Sequence, residues 1–547
     1  MKFLGKEISG QFTIPSGIIT TNGKVIERIA NSIPEVGIIT TKSIGLNPRE
    51  GNKEPIVTQY APGCFMNAVG LTNPGAEEFA KQLQEIKIPK DRFILTSIFG
   101  KDAKEFVKVA KILTPFSDGL ELNLSCPHAT GYGMAIGQDP KLVEEITSAV
   151  KKAVSIPVVP KLTPNAGNIA EIAKAAEKGG ADAICAINTV GPGYFSVDGE
   201  PVLTNKKGGL SGVGILPIGL KCIKEISEAV NIPVIGCGGI RNADDIIAYK
   251  DAGATIFGVG SALAGLTTAE VKEYFFRLNN DLEKKTDKAA RLLKKVDMSF
   301  KRYKLIENKK LSKDFSLLIF NKGIKIRPGQ FIFAWIPGVG EKPFSVLDNN
   351  PLTLAVQSRG CCSEKFTALE KGSKVYFRGP YGTSLKIDKD SKLMLVSGGT
   401  GLASLYQIAR DFENVEIFIG ARDKNHLFYT DKLKTKVYIA TNDGSKGHKG
   451  FVTDILKKRL SELSESDSKR LVFFNCGPEA MIDAAVAIEK DYANSENIYN
   501  SIDYVTKCGV GLCGSCATKN GERSCVDGPF FKRVNKDENR STCTFQG

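Results

Sequence analysis

Four cysteines near the end of the chain have the spacing of an iron–sulfur site. Cys508, Cys513, Cys516 and Cys525 follow the pattern C-x4-C-x2-C-x8-C. The first three match plant-type [2Fe-2S] sites, in which four thiolates hold two irons. Glycines stand between them, and glycine lets backbone N–H groups approach sulfur closely. The pattern predicts a [2Fe-2S] cluster on these four thiolates.

Two other interpretations of the cysteines are a zinc knuckle and a pair of disulfides. Zinc sites usually combine two C-x2-C half-sites, and this stretch has one. Disulfides are typical of small secreted domains, whereas this long chain begins without the apolar stretch of a signal peptide. Because a cluster passes one electron at a time, the cluster interpretation requires an electron donor and an electron acceptor elsewhere in the sequence.

Polar residues at the ends of apolar stretches predict a flavin site in the first 290 residues. They are Lys42, Ser43, Asn123, Lys161, Asn188 and Thr189. Lys161 could stabilise negative charge on a reduced flavin, although a strand-end lysine can also be a solvated charge. Asn67, Asn123 and Asn188 carry amides that donate and accept at a polar ring. Glycine turns at Gly238-Gly239 and Gly260-Ser261 suit the phosphate of FMN.

Cys126 is the candidate catalytic base. A thiol beside a flavin can take a proton from carbon while hydride leaves the neighbouring carbon, provided that its pKa is matched to the task. A buried structural cysteine is the alternative interpretation. The glycine-rich stretch 129–139 that follows is predicted to be a mobile lid.

Strands alternating with helices must position these residues. Apolar stretches at 12–17, 36–44, 93–100, 119–126, 157–162, 183–190, 233–240 and 255–263 predict eight strands. Helical patterns occur between them, for example at 139–153, 167–178 and 215–229. Eight such units predict a (β/α)8 barrel, whose chemistry lies at the carboxyl ends of its strands. A doubly wound sheet is the alternative fold.

Residues 1–290 resemble a dihydroorotate dehydrogenase barrel. The matching motifs are TTKS (40–43), NAVGL (67–71), LNLSCP (122–127), KLTPN (161–165), INT (187–189), GGLSG (208–212), GCGGI (236–240) and GVGSAL (258–263). The resemblance implies FMN contacts from Ser16, Lys42, Ser43, Asn123, Lys161, Ile187, Gly212, Gly238, Gly239, Gly260 and Ser261. It also implies dihydroorotate contacts from Lys42, Asn67, Ala68, Val69, Gly70, Leu71, Asn123, Asn188 and Thr189, and makes Cys126 the base, with Lys42 and Lys161 assisting catalysis.

Two positions depart from the family pattern. The family often has asparagine where this chain has His128 and Ser97. The SCPH sequence at 125–128 also occurs in dihydropyrimidine dehydrogenases, whose barrel is related. An enzyme acting on uracil or thymine is therefore an alternative.

The second half changes pattern. A charged helix over 281–297 is predicted to link it to the barrel. Strands at 315–320, 330–336, 352–358 and 374–379 predict a small antiparallel barrel, and strands at 393–397, 415–420, 437–440 and 471–476 predict an α/β nucleotide domain. The GGTG turn at 398–401 has the character of a pyrophosphate-binding turn at a helix N-terminus.

Residues 300–547 resemble the ferredoxin reductase-like electron-transfer subunit of NAD-dependent dihydroorotate dehydrogenase. The motifs are RPGQF (327–331), KPFS (342–345), GGTGLA (398–403), GARDK (420–424), TNDGSKGHKGFVTD (441–454), NCGPEAM (475–481) and the cysteine stretch running into VDGPFF (526–531). The resemblance implies FAD on Lys342, Pro343, Phe344, Ser345, Gly360, Cys362 and Ser363, and NAD over Gly398, Gly399, Gly401, Cys476 and Gly477. The family usually has arginine where this chain has Lys342, which loses the bidentate fork, so weaker FAD binding is expected. Cys362 also departs from a more glycine-rich family turn.

Together the resemblances imply both subunits of a class 1B dihydroorotate dehydrogenase in one chain. Dihydroorotate would be oxidised to orotate, in pyrimidine biosynthesis, with electrons passing from FMN to [2Fe-2S] to FAD to NAD+. The expected domains are 1–290 (FMN barrel), 297–387 (FAD barrel), 388–500 (NAD domain) and 501–547 (cluster domain). An electron-transfer module serving another redox partner, and a scaffold without catalysis, are further alternatives.

Composition excludes other classes of protein. The 547 residues have a net charge of +14, but without the aromatic-interleaved basic patch typical of nucleic-acid binding. No apolar run approaches the length of a membrane span. We expect a cytoplasmic enzyme, a homodimer through its barrel, with small-molecule partners only.

Overall fold

The computed structural model describes residues 1–124, 136–464, 470–502 and 504–532. The chain forms two compact units. The first comprises residues 1–298 and 510–523, and the second comprises residues 299–509 and the described residues from 524 onward. In these described ranges, none of the helices is both long and apolar enough to cross a membrane.

Eight parallel strands close into a barrel in the first unit, which confirms the predicted fold. They are β1 (Phe12–Thr13), β2 (Ile38–Thr40), β3 (Phe93–Ile98), β4 (Gly119–Asn123), β5 (Val158–Leu162), β6 (Ile184–Ala186), β7 (Val234–Cys237) and β8 (Ile256–Gly258). Each strand pairs with the next along the chain, and β8 pairs with β1. All eight strands are shorter than the apolar stretches that predicted them.

Helices follow or connect the barrel strands. They are α1 (Gly23–Ser32), α2 (Ala76–Glu85), α3 (Ala103–Leu113), α4 (Pro140–Ala153), α5 (Ile169–Lys178), α6 (Leu216–Ser227), α7 (Ala243–Asp251) and α8 (Thr268–Lys284). Side chains such as Asn22, Asp102, Asn168 and Asn242 accept hydrogen bonds from first-turn N–H groups. These caps satisfy donors that a helix leaves unpaired, so these four helices begin at defined residues.

A four-stranded antiparallel sheet stands apart from the barrel strands. Its order is Val190–Tyr194, Lys207–Gly212, Cys64–Asn67 and Val57–Ala61. The sheet places Asn67 opposite Gly209 in register. It therefore connects the two chain stretches that carry predicted substrate and flavin contacts.

The predicted helical linker over 281–297 is wrong beyond its first turn. Helix α8 ends at Lys284, and Lys285 adopts the left-handed conformation. The buried Asp281 carboxylate accepts hydrogen bonds from the Thr286 hydroxyl and from the Ala289 N–H, at 2.7 Å for the latter. A side chain that bonds to the backbone beyond the helix end competes with continuation of the helix.

An antiparallel sheet forms the first part of the second unit. Its strands are β9 (Lys301–Lys310), β10 (Phe315–Phe320), β11 (Phe331–Ile336), β12 (Gly340–Ser345), β13 (Asp348–Asn349), β14 (Leu352–Gln357) and β15 (Lys374–Tyr381). Their order is β12-β11-β15-β9-β10-β14-β13. Inward side chains from β9, β10, β11, β14 and β15 share one core with Phe366 of α9 (Cys361–Thr367).

A mostly parallel sheet forms the rest of the second unit. Its strands are β16 (Lys392–Gly398), β17 (Val415–Ala421), β18 (Lys436–Thr441), β19 (His448–Lys449), β20 (Leu471–Cys476), β21 (Ile498–Ser501) and β22 (Phe531–Lys532), in the order β19-β18-β17-β16-β20-β21-β22. The helices α10 (Leu402–Asp411), α11 (Val452–Ser461) and α12 (Glu479–Glu489) accompany it. The order confirms the predicted α/β nucleotide fold.

A buried carboxyl group lies in the core of this parallel sheet. The Asn475 amide donates to Glu489 Oε2 at 2.8 Å and to Asn500 Oδ1 at 3.0 Å, and all three side chains are buried. Burial raises the pKa of Glu489 from 4.5 to about 8, with the Asn475 hydrogen bond opposing the shift. The folded protein therefore keeps a proton at neutral pH that the unfolded chain releases.

We expect this unit to lose stability as the pH rises from 5 to 9, and Glu489→Gln to remove most of that loss. The folded state binds one more proton than the unfolded state between the two pKa values, so the free energy of unfolding falls as pH rises. Glu489→Gln should be more stable at pH 8 by about 2 kcal/mol or more. Thermal unfolding at pH 5 and pH 8 checks this, with the exposed Glu462→Gln as control. An equal pH dependence in both variants would contradict it.

Candidate active site

A cleft at the carboxyl ends of the barrel strands brings most of the predicted site residues of the first unit together. Its lining includes Ser16, Lys42, Ser43, Asn67, Val69, Gly70, Leu71, Asn123, Lys161, Ile187, Asn188, Thr189, Gly212, Gly238, Gly239, Gly260 and Ser261. Ala68 does not line it, because its side chain packs with Met66 and Leu203 in a small core. Cys126, His128 and most of the predicted lid lie outside the described residues.

A buried ion pair lies beneath the cleft. Lys161 Nζ is 3.8 Å from the Glu121 carboxylate, and both side chains are at least 95% buried. Lys161 faces Asn123 in the register of β4 and β5. Burial alone would lower the pKa of Lys161, but the Glu121 carboxylate and the neighbouring Cys185 and Cys237 thiols outweigh it and raise that pKa. Lys161 therefore carries its positive charge at neutral pH, as a group that stabilises an anion requires.

Hydroxyl and amide groups form a chain along one side of the cleft. Ser43 Oγ lies 3.0 Å from Ser16 Oγ and 2.9 Å from Ser97 Oγ, and it accepts a hydrogen bond from the Asn123 amide at 2.9 Å. The Asn188 amide in turn donates to Asn123 Oδ1 at 3.4 Å. Ser97, which departs from the family pattern, thus joins the chain that orients Asn123. Its side chain is fully buried, so it acts through Ser43.

Glycine turns after β7 and β8 shape the part of the cleft suited to phosphate. Gly239 has φ +80, and a Cβ there would lie 2.9 Å from the Gly212 carbonyl oxygen. Gly212 has φ +95, and a Cβ there would lie 2.1 Å from the Gly63 carbonyl oxygen. No other residue fits either position without movement of the backbone. Donor-rich backbone at strand ends of a barrel is where a flavin phosphate binds.

Sequence reasoning missed several residues of the site. Glu121 lies on β4 two residues before Asn123. Side chains two apart on a strand point to the same side, so the position of Asn123 could have indicated that Glu121 points the same way. Asn165 bonds to Thr163 Oγ1 at 3.0 Å, to the Thr189 carbonyl oxygen at 3.3 Å and to the Gly191 N–H at 2.9 Å. It connects the loops after β5 and β6. Leu512 and Cys513 also line the cleft, and no local pattern indicated that.

The predicted FAD residues lie on two elements of the second unit. Lys342, Pro343, Phe344 and Ser345 form the end of β12, and Ser345 Oγ is 2.7 Å from Ser404 Oγ of α10. Ser363 Oγ accepts a hydrogen bond from the Gly360 N–H at 3.1 Å. The Cys362 side chain packs in the core of the antiparallel sheet. Any cofactor contact from Cys362 must therefore come from its backbone.

The predicted NAD residues meet where β16 and β20 end. Gly398 ends β16 and Gly399 begins the turn before α10, while Cys476 ends β20. A Cβ on Gly477 would lie 2.9 Å from the Gly398 N atom, and a Cβ on Gly401 would lie 2.0 Å from the Cys476 carbonyl oxygen. The two turns thus pack backbone against backbone at the carboxyl edge of a parallel sheet, where such sheets bind nucleotides.

All four cluster cysteines are buried. Cys513 and Cys516 belong to the first unit, and Cys508 and Cys525 belong to the second. Among the described residues, no group of three or more His, Cys, Asp or Glu side chains is arranged to hold a metal ion. A [2Fe-2S] cluster would be held by four thiolates that are shared between two irons.

In the second unit, a buried arginine fixes the backbone at the first of these cysteines. Arg378 donates to the Cys508 carbonyl oxygen at 2.8 Å and to both oxygens of Glu341, at 2.5 and 2.7 Å. Both side chains are fully buried. The Arg378 guanidinium also lies 4.0 Å from the centre of the Phe333 ring. Removing either partner would leave an uncompensated buried charge, so we regard the pair as part of the framework of the cysteine stretch.

Comparison with known proteins identifies the barrel. The family model described as dihydroorotate dehydrogenase matches residues 1–277. The catalytic subunit of dihydroorotate dehydrogenase B (NAD(+)) from Methanocaldococcus jannaschii is 44% identical over 47% of this chain and 85% of its own length. The protein of the same name from Pyrococcus horikoshii is 41% identical over 48% of this chain and 86% of its own length. The chain belongs to the dihydroorotate dehydrogenase family.

A second family model confirms the iron–sulfur prediction. The iron-sulfur cluster binding domain of dihydroorotate dehydrogenase B matches residues 505–535. Both family models thus describe parts of dihydroorotate dehydrogenases, and here both parts lie in one chain. A solved NADH-dependent reduced ferredoxin-NADP oxidoreductase is 25% identical over 42% of this chain and 87% of its own length, with a TM-score of 0.38. That score is too low to indicate a shared fold.

These matches confirm the predicted enzyme class. The chain is a dihydroorotate dehydrogenase with an FMN barrel and a [2Fe-2S] segment, and it oxidises dihydroorotate to orotate. The roles of individual site residues and the four domain boundaries stay predictions. The dihydropyrimidine dehydrogenase alternative receives no support from the family models.

Proposed function

We propose that this chain couples dihydroorotate oxidation to NAD+ reduction by itself. FMN in the barrel cleft would accept hydride from the substrate, and electrons would pass singly through the [2Fe-2S] cluster to FAD and leave as hydride to NAD+. One observation carries the proposal. Leu512 and Cys513 of the cysteine stretch line the same cleft as Lys42, Asn123 and Lys161. The curated relatives that the barrel matches are named as NAD(+)-dependent enzymes.

The residues of the first unit would divide the work at the substrate. The Cys126 thiolate accepts a proton from one carbon of dihydroorotate while hydride leaves the adjacent carbon for the flavin. Lys161, held protonated by Glu121, stabilises the negative charge that the flavin acquires. Asn67, Asn123 and Asn188 donate to and accept from the pyrimidine ring. Lys161, Asn67, Asn123 and Asn188 line the cleft.

The second unit would hold the other two nucleotides. FAD would bind at the end of β12 and over the Gly360–Ser363 turn, and NAD would bind over the glycine turns after β16 and β20. The strand order of the parallel sheet and the backbone packing of Gly398 against Gly477 support this assignment. We also propose a cytoplasmic homodimer that associates through the barrel.

A steady-state assay tests the proposed coupling. The purified protein is given dihydroorotate or dihydrouracil as donor and NAD+ or NADP+ as acceptor. We expect dihydroorotate with NAD+ to give the highest kcat/KM. Comparable kcat/KM with dihydrouracil would instead support the uracil-type enzyme, and turnover with artificial acceptors alone would contradict the coupling to NAD+.

We expect Lys42→Met to remove most of the preference for dihydroorotate. Dihydroorotate differs from dihydrouracil by a carboxylate, and a charge-assisted hydrogen bond to it contributes about 1.5–3 kcal/mol. The unmodified enzyme should therefore favour dihydroorotate by about 10²-fold or more, and Lys42→Met should raise KM for dihydroorotate in particular. Lys151→Met, which breaks an ion pair with Asp182 away from the cleft, is the control. An undiminished preference in Lys42→Met would assign carboxylate recognition to other residues.

A further inference from the structure

A buried arginine connects the cysteine stretch to the barrel within the first unit. Arg523 is 1% exposed. One of its guanidinium nitrogens donates to the Gly511 carbonyl oxygen at 2.7 Å, and the other terminal nitrogen donates to the Leu266 carbonyl oxygen at 2.9 Å. Gly511 lies between the cysteines, and Leu266 lies between β8 and α8. A buried cation is costly unless it is hydrogen-bonded, and these two hydrogen bonds join the cysteine stretch to the loop after β8.

Backbone hydrogen bonds continue the same connection. The Ile19 N–H donates to the Leu512 carbonyl oxygen at 2.8 Å, and the Gly265 N–H donates to the Val510 carbonyl oxygen at 2.9 Å. Ile19 has φ +59, a strained conformation for a β-branched residue. Its loop follows β1 and carries Ser16, which lines the cleft. Segment 510–523 therefore holds the loop after β1, and through it one wall of the cleft.

The closest approach of this segment to the barrel requires glycine. Gly514 has φ +66, and a Cβ there would lie 2.5 Å from Thr21 Oγ1 and 2.7 Å from the Ile19 carbonyl oxygen. The Thr21 hydroxyl donates to the Gly514 carbonyl oxygen at 3.2 Å. Backbone thus packs on backbone next to Leu512 and Cys513, the two residues that reach into the cleft. The cleft wall is incomplete without this segment.

We propose that Arg523 is a positioning residue that seats segment 510–523 on the barrel, and that the flavin cleft is completed only when this segment is seated. Two consequences follow. Flavin affinity depends on a residue that does not line the flavin cleft. Electron transfer from flavin to cluster depends on the same residue, since it holds Cys513 at the cleft; this consequence rests on the proposed function.

The test compares Arg523→Met with Arg92→Met in the full-length protein. Arg92 is a matched control, because it is 4% exposed and donates to the Ala30 carbonyl oxygen at 3.0 Å, but it does not line the cleft. Hydrogen–deuterium exchange is measured in peptides that contain Ile19 and Gly265, and the dissociation constant of FMN is measured by titration. The rate of cluster reduction is measured by rapid mixing with dihydroorotate, and the iron content of each variant is determined alongside.

In Arg523→Met we expect both amides to exchange at least about tenfold faster and FMN to bind at least about tenfold more weakly, because the variant loses two charge-assisted hydrogen bonds. Arg92→Met should change neither. Exchange or FMN affinity equal to that of Arg92→Met would overturn the proposal. If Arg523→Met does not fold, Arg523→Lys decides in the same way, because lysine keeps the charge but loses the fork that reaches both carbonyls.

The exchange and affinity measurements require neither substrate nor NAD+. A preference for dihydrouracil would therefore overturn the proposed function while leaving the role of Arg523 standing. Conversely, unchanged exchange in Arg523→Met would overturn that role in an enzyme that still reduces NAD+ with dihydroorotate.

Discussion

Cys126→Ala should retain its flavin but reduce it with dihydroorotate on the order of 10²–10⁴-fold more slowly, the usual contribution of a general base. The residue follows β4 by three positions, and β4 ends at Asn123 in the cleft. On the proposed function, its thiolate would accept the proton that leaves carbon as hydride moves to the flavin. Anaerobic rapid mixing, with flavin absorbance as the signal, measures the rate.

Two further variants make this experiment decisive. Cys126→Ser should regain activity only at high pH, because an alkoxide is much harder to form than a thiolate. Cys222→Ala is the control, since Cys222 is a buried cysteine on α6 that does not line the cleft. Flavin reduction by Cys126→Ala at the rate of Cys222→Ala would assign Cys126 to packing.

Cys513→Ser should abolish NAD+ reduction while dihydroorotate still bleaches the flavin of the barrel. Serine is a poor ligand for iron, so the cluster signal should disappear with it. The barrel flavin accepts hydride before the cluster takes part, and its reduction should therefore survive. Iron content, electron paramagnetic resonance and NADH formation are the three measurements.

Cys222→Ser serves as the matched control for this variant, because it makes the same substitution at a buried cysteine away from the cleft. It should keep both iron and NAD+ reduction. NADH formation by Cys513→Ser at an undiminished rate would show that electrons bypass the cluster. Loss of flavin bleaching in Cys513→Ser, with FMN still bound, would show that the two steps do not run in series.

The cleft residues at strand ends were predictable because the active site of a barrel lies at the carboxyl ends of its strands. Lys161 lies next to the carboxyl end of β5, and this position correctly predicted that it lines the cleft. Glu121 obeys the same geometry but was missed. A single acidic residue in a buried strand indicates an ion pair only once the Lys161 side chain on the neighbouring strand is known to lie 3.8 Å from it.

Contacts between distant parts of the chain were beyond prediction. Nothing local to Leu512 indicates that its carbonyl oxygen meets the Ile19 N–H, nearly 500 residues away, and only the packed chain shows it. The prediction of a helical linker over 281–297 was wrong because of a local contact. The charged composition of this stretch suits a helix, but the Asp281 carboxylate accepts a hydrogen bond from the Ala289 N–H, and the helix ends at Lys284.

The most direct test of the account is an anaerobic titration of the whole protein with dihydroorotate before NAD+ is added. FMN and FAD each accept two electrons and the cluster accepts one, so the chain should consume about 2.5 equivalents of dihydroorotate and develop the signal of a reduced cluster. Subsequent NAD+ should reoxidise all three centres with formation of NADH. If the protein consumes only about one equivalent of dihydroorotate, with no cluster signal and no NADH, the three centres do not form one continuous electron path in this chain.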